Sequence, residues 1–227
     1  MNVLALDTSS NALVLGLQAG GRRLERFELV ERSHSREILP AIIGLFEEAG
    51  LSLRQLDAIV YGKGPGSFTG LRITVGVVQG LAYGLDIPVV PVSSLACLAQ
   101  GEYRGYGNTC IVVALTARKQ EVFFGAYEIY DGLARLVGKE AVLDVAEVPG
   151  VTGNNWVGVG SGWKLEDKLE KSLGVDIREV RCEVWPRPTD LLDLGIAAFE
   201  RGEAIAAHDA VPEYLREQVA SPGTRIR

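Results

Sequence analysis

Two β-meanders, one opening each half of the chain, constrain the fold more than any other feature. Val3–Leu6, Ala12–Leu17 and Arg22–Val30 read as three strands. The polar turn Asp7-Thr8-Ser9-Ser10 joins the first two, and Gly20-Gly21 is a hairpin signal between the second and third. Ser35–Ala49 then carries a helical apolar pattern at Ile38, Leu39, Ile42, Ile43, Leu45 and Phe46, and Gly50 stops it. Ala58–Tyr61 is a buried strand, Phe68–Leu85 a second helix and Val89–Val92 another short strand, which makes the order βββαβα. The second half begins again with Ile111–Leu115, Val122–Ile129 and Leu133–Val142, turning at Thr116-Ala117-Arg118-Lys119 and at Asp131-Gly132. Trp156–Val159 is a strand, and Trp163–Ser172 and Thr189–Arg201 are helices, the last entered through Pro186 and Pro188. Ala5-Leu6-Asp7 and Ala114-Leu115-Thr116 hold equivalent places in the two meanders. The expected architecture is therefore α/β, with two similar βββαβα-type subdomains and a cleft between them. The expected division is 1–103 and 104–227, in the Gly-rich, polar stretch Gly101–Asn108, with the last helix and tail packing back on the first subdomain.

Composition narrows the function. Of 227 residues, 47 % are apolar, enough for a core. A net charge of −6 argues against a free-standing nucleic-acid binder, though not against a subunit whose partner holds the nucleic acid. Cys97, Cys110 and Cys182 are odd in number and widely spaced, which gives neither a disulfide framework nor a zinc site. His34 and His208 lie far apart, so a His-rich metal centre is not expected. Met1-Asn2-Val3 has no basic start, and Ile73–Leu85 and Ile87–Gly101 fall short of the ~18 apolar residues of a membrane span. A cytoplasmic protein without a membrane segment is the expectation.

Three places could carry chemistry. Asp7, Thr8 and Ser9 would present hydroxyls, backbone N–H groups and a carboxylate at a strand end, as a phosphate with its cation requires, or would simply turn a hairpin. Gly62–Gly70 packs glycines and Pro65 into a fixed turn, with Gly66 close to any ligand and Ser67 as an N-cap whose helix could take an anion. It lacks the Gly-x-x-x-x-Gly-Lys-Ser/Thr pattern of a P-loop. Gly160, in Gly158–Gly162, could line a nucleotide pocket or serve only as a helix entry turn. The helix after Ser67 repeats Gly76, Gly80 and Gly84 every four residues, each interior glycine costing ~1 kcal/mol relative to alanine. It is apolar nearly all round, more than one sheet can cover. With the first helix it is expected to form a docking surface, for which Ile38, Ile42, Phe46, Phe68, Arg72, Gly76, Gly80 and Tyr83 are the candidates.

The motifs Leu6-Asp7-Thr8-Ser9, Ser33-His34-Ser35 with Leu39-Pro40, and above all Gly64-Pro65-Gly66-Ser67-Phe68-Thr69-Gly70-Leu71-Arg72-Ile73 resemble those of the TsaB (YeaZ) family. Gln79-Gly80-Leu81-Ala82, Pro91-Val92-Ser93-Ser94-Leu95, Glu121-Val122-Phe123 and Pro212-Glu213-Tyr214-Leu215-Arg216 extend the resemblance over almost the whole chain. It implies an actin/Hsp70-like (ASKHA) fold. It also implies a role in forming threonylcarbamoyladenosine in tRNA next to the anticodon. The implied partners are a second copy of the chain, a TsaD-like catalytic subunit and a TsaE-like ATPase, with tRNA reached through the complex and ATP or ADP at the complex interface. The catalytic paralogue's His-x-x-x-His metal motif falls here on Ser94 and Leu98, and Thr116 stands where an acidic residue is common. Ser binds metal weakly and Leu not at all, so no catalytic residue and no metal site is expected, and autonomous ATP hydrolysis is disfavoured.

Overall fold

The computed structural model describes residues 1–30 and 33–215. Two five-stranded sheets form the framework. In the first, β1 (Asn2–Asp7), β2 (Ala12–Ala19) and β3 (Arg22–Leu29) make an antiparallel meander, and β4 (Ala58–Gly64) and β5 (Val89–Ser93) add in parallel on the far side of β1. In the second, β6 (Cys110–Thr116), β7 (Glu121–Tyr130) and β8 (Leu133–Asp144) repeat that meander. β9 (Trp156–Val159) and β10 (Val180–Arg181) repeat the parallel addition. The orders β3-β2-β1-β4-β5 and β8-β7-β6-β9-β10 are the same topology used twice, the duplicated sheet of the actin/Hsp70-like fold.

Alternation along the strands decides what each sheet face buries. Leu4, Leu6, Leu13, Leu15, Leu17, Ile59 and Tyr61 point to one face of the first sheet, under α1 (His34–Ala49) and α2 (Phe68–Leu85). Val3, Ala5, Val60, Val90 and Val92 point to the other, against Leu191, Leu192 and Ala198 of α5 (Pro188–Glu200). Thus α5, which follows the second sheet in the chain, covers the first sheet. The exchange is mutual: α3 (Ser94–Tyr106) leaves the first sheet but buries Leu95, Leu98 and Ala99 against Ile111, Val113, Val157 and Val159 of the second. Where the two helices cross, Arg104 of α3 binds the fully buried Asp190 of α5 at 2.6 and 3.1 Å.

α3 corrects the sequence reading. Gly101–Asn108, where the division between subdomains was expected, is the second half of this helix and its cap, and the chain turns only at Gly107, in a left-handed C-cap. The glycines suppress the helical signal, while Leu95, Leu98 and Ala99 supply an i, i+3, i+4 stripe that settles the matter through burial. The expected helix from Trp163 is also divided, into a 3₁₀ segment Ser161–Leu165 and α4 (Glu166–Leu173). Trp163 anchors that segment under the sheet, its indole N–H donating to the Val112 carbonyl at 3.1 Å.

Candidate functional site

The turn between β1 and β2 is clamped from three sides. The Ser9 N–H donates to Asp7 Oδ1 at 2.5 Å, and the Ser94 hydroxyl reaches Asp7 Oδ2 at 3.2 Å and Ser9 Oγ at 3.0 Å. Thr8 is tied to α2: its N–H donates to Thr74 Oγ1 at 3.0 Å and its hydroxyl to the Gly70 carbonyl at 2.8 Å. The Ser67 N–H donates to the Ser9 carbonyl at 2.6 Å. Three glycines make room for this turn. A methyl group on Gly62 would lie 2.1 Å from Asp7 Oδ2, on Gly66 2.4 Å from the Ser9 carbonyl oxygen, and on Gly70 1.8 Å from that of Thr8. The glycine loop therefore cradles the chain's own Asp7–Ser9 turn.

Asp7 is only 1 % exposed. Burial pushes its carboxyl above the ordinary aspartate range, with the bonds from Ser9 and Ser94 and the nearby His34 opposing. A carboxylate whose folded value is raised contributes stability at low pH and loses it as pH climbs through that value. Asp7→Asn keeps an acceptor for the Ser9 N–H and offers a donor to the Ser94 hydroxyl. It should therefore match wild type near pH 4 and exceed it at neutral pH, once the buried charge is gone. Urea denaturation at a series of pH values tests this; a variant weaker than wild type at pH 7 would mean that the charge itself is needed.

Between the two lobes lies a cavity of about 640 Å³. Ser9, Gly66 and Ser67 line it, as their sequence positions led one to expect, but Asp7, Thr8 and Gly160 do not. Asp7 and Thr8 lie sealed beneath, and Gly160 is packed on β6, where a methyl group would meet the Ala114 carbonyl at 2.4 Å. Ser10 and Ser161, from the turn Asp7–Ser10 and the segment Gly158–Gly162 that the sequence reading flagged, also line it, as do Asn11, Thr116 and Lys164, which it did not single out as ligand contacts, and Cys182, Glu183 and Trp185. Among the described residues, no group of three His, Cys, Asp or Glu side chains is placed to hold a metal ion.

The α1/α2 layer presents a different surface. Ile38, Ile42 and Phe46, expected to meet a partner, are buried in the chain's own core, because their four-residue spacing is the stripe that faces the first sheet. One position on, Leu39 and Ile43 are about half exposed and form the outer face of α1. On α2 all five candidates face outward: Phe68, Arg72, Gly76, Gly80 and Tyr83 are exposed, Tyr83 to 82 %. Around Gly76, Gly80 and Gly84 an added methyl group would meet nothing within 4 Å, so no part of the described chain approaches that backbone. The Arg72 guanidinium lies 3.9 Å over the Phe68 ring, which meets the Tyr214 ring at 5.5 Å. Of the tail motif expected from the sequence, Arg216 lies outside the described residues.

The family model "TsaD: tRNA N6-adenosine threonylcarbamoyltransferase" matches residues 28–221. The tRNA threonylcarbamoyladenosine biosynthesis protein TsaB of Escherichia coli strain K12 is 37 % identical over 97 % of this chain and 96 % of its own length. Its Bacillus subtilis strain 168 namesake is 32 % identical over 95 % and 94 %. The chain belongs to the TsaB (YeaZ) family. The solved structure of YeaZ from Pseudomonas aeruginosa superposes with a TM-score of 0.89 at 41 % identity, over 94 % of this chain and 99 % of that one. The segments Asp7–Ser9 and Gly64–Gly70 have a joint structural task, since each is the other's packing partner. Ser94 is committed to the same network and Leu98 to the core, so neither offers a metal ligand to the cleft. Thr116 stands at the rim, exposed, its N–H bonded to Ser161 Oγ at 3.1 Å.

Proposed function

We propose that this chain is a non-catalytic scaffold subunit in the formation of N6-threonylcarbamoyladenosine in tRNA next to the anticodon. In this reading it docks a TsaD-like catalytic subunit, is joined by a TsaE-like ATPase, and forms a homodimer through the same surface. The observation that carries it is the outer face of α1 and α2: Leu39, Ile43, Phe68 and Tyr83 are exposed around a glycine backbone that the described chain leaves bare. Exposed aromatic and aliphatic side chains with an arginine at the edge are the composition of an interface core. Family membership supports the pathway, since the E. coli and B. subtilis relatives are named for tRNA threonylcarbamoyladenosine biosynthesis. The chemistry is assigned to the partner because Asp7 is sealed and Ser94 and Leu98 are engaged elsewhere. Co-purification with a TsaD-like protein, followed by a tRNA modification assay with and without this chain, tests the reading. Modification that requires the chain is the expected result. A wild-type chain that stays monomeric and shows no affinity for the TsaD-like protein would sink it.

A further inference from the structure

Ser33-His34-Ser35 is a motif that the docking surface does not use. It opens α1 without a cap, since Ser33 makes no side-chain bond to the first turn. The first N–H groups of a helix have no acceptor inside it, so an uncapped start calls for one from outside. His34 adds a second unmet polar group. It is 9 % exposed, and its Nε2 is shut off from solvent without a hydrogen-bond partner. A buried ring nitrogen in that state is costly and uncommon.

Both border one cavity of about 970 Å³, between the starts of α1 and α2 and the β1–β2 turn. His34 and Ser35 line it from α1, Ser67 and Thr69 from α2, and Ser10 and Asn11 from the turn. The positive poles of a 16-residue and an 18-residue helix therefore meet the same space. The Ser10 and Ser67 hydroxyls already accept from the Ala12 and Gly70 N–H groups, which leaves their own protons to donate. Among the described residues that line the cavity there is no carboxylate and no Lys or Arg side chain. Asp7 is sealed beneath the turn with both oxygens engaged, and Glu37, in the first turn of α1, is exposed outside the lining.

We propose that this cavity binds a phosphate group. The uncapped start of α1, the hydroxyls of Ser10, Ser35 and Ser67, and the His34 ring, which turns to donate, hold it. A space walled by N–H and O–H donors and two positive helix poles, with no counter-charge built in, suits an oxyanion rather than a cation or an apolar group. The inference stands apart from the docking reading, because none of the residues assigned to docking lines the cavity.

Nitrogen NMR of the full chain, labelled in its histidine rings, tests this with inorganic phosphate at constant pH and ionic strength, chloride making up the balance. The chain has two histidines, and His208, its side chain 79 % exposed, is the internal control. The His34 ring signals should shift to saturation while those of His208 do not follow. Calorimetry should show His34→Ala binding phosphate about tenfold or more weakly, since a hydrogen bond to a charged group is lost. Ser35→Asp puts a carboxylate in the first turn of α1, where it favours the helix. That variant should melt at or above wild type and lose phosphate binding. Phosphate should raise the wild-type melting temperature beyond what chloride does, and in both variants the excess should fall to the general effect of the salt. Ribose 5-phosphate separates the sources, and both of its outcomes support the site: tighter binding than inorganic phosphate assigns it to a phosphate monoester, equal or weaker binding to the free anion. His34 and His208 rings that respond alike, or phosphate stabilisation that is the same in wild type and both variants, would overturn the proposal.

Discussion

Gly70→Ala should cost this chain about 3 kcal/mol or more, far beyond what one methyl group costs at most positions. The added carbon would lie 1.8 Å from the Thr8 carbonyl oxygen and 2.9 Å from its carbon, and both are backbone atoms. A flexible side chain could swing away, but Thr8 cannot. Its N–H is held by Thr74, its hydroxyl by the Gly70 carbonyl, and the next residue's carbonyl by the Ser67 N–H. Relief would require α2 to lift off the β1–β2 turn, which would open the Thr8–Thr74 contact at 2.8 Å and leave buried hydroxyls unpaired. For a chain of this size each kcal/mol moves the midpoint by roughly 2–4 °C, so a fall of about 10 °C is expected in a thermal melt. A variant melting within about 2 °C of wild type would show that the turn and the helix are not rigidly coupled.

Much of this was legible in advance, and the exceptions share a cause. Strand alternation and tight turns are local signals, so both meanders, α1, α2 and α5 could be read from spacing alone. α3 could not, because Gly101 and Gly105 imitate a linker and the decisive fact is burial against a sheet that follows in sequence. On α1 the apolar pattern was right but its direction was ambiguous. Ile38 and Leu39 are neighbours on the helix surface, and only the position of the sheet tells which of them is core. The glycine loop was read only in part. Close backbone approach was correctly inferred at Gly66, but what approaches is the turn at Thr8 and Ser9, distant in sequence. A sequence shows that something must come near a glycine without showing what. The same limit hid Lys164 of the cleft, which the second lobe brings opposite Ser9.

Gly80→Leu should separate folding from docking more sharply than any other change. In the free chain nothing lies within 4 Å of the new side chain's first carbon, and Gly80 sits inside an 18-residue helix. Replacing an interior glycine with leucine favours the helix by roughly 0.8 kcal/mol, so the variant should melt at or slightly above the wild-type temperature. Gly76→Ala should stabilise the helix at least as much, by about 1 kcal/mol, with a smaller side chain on the surface. A partner helix packed on this face meets the opposite situation, because the contact that bare backbone permits is closed by a branched side chain. Overpacking there costs about 1–3 kcal/mol and affects both copies of a symmetric pair, so self-association should weaken by about 30-fold or more. Affinity for a TsaD-like partner should fall with it if both use this surface. The signs decide the interpretation: a helix made more stable and a complex made weaker is the exchange expected when glycine is kept for an interface. Were Gly80→Leu to lower the melting temperature while leaving association intact, the glycines would belong to the fold of α2 and the docking surface would have to be sought elsewhere.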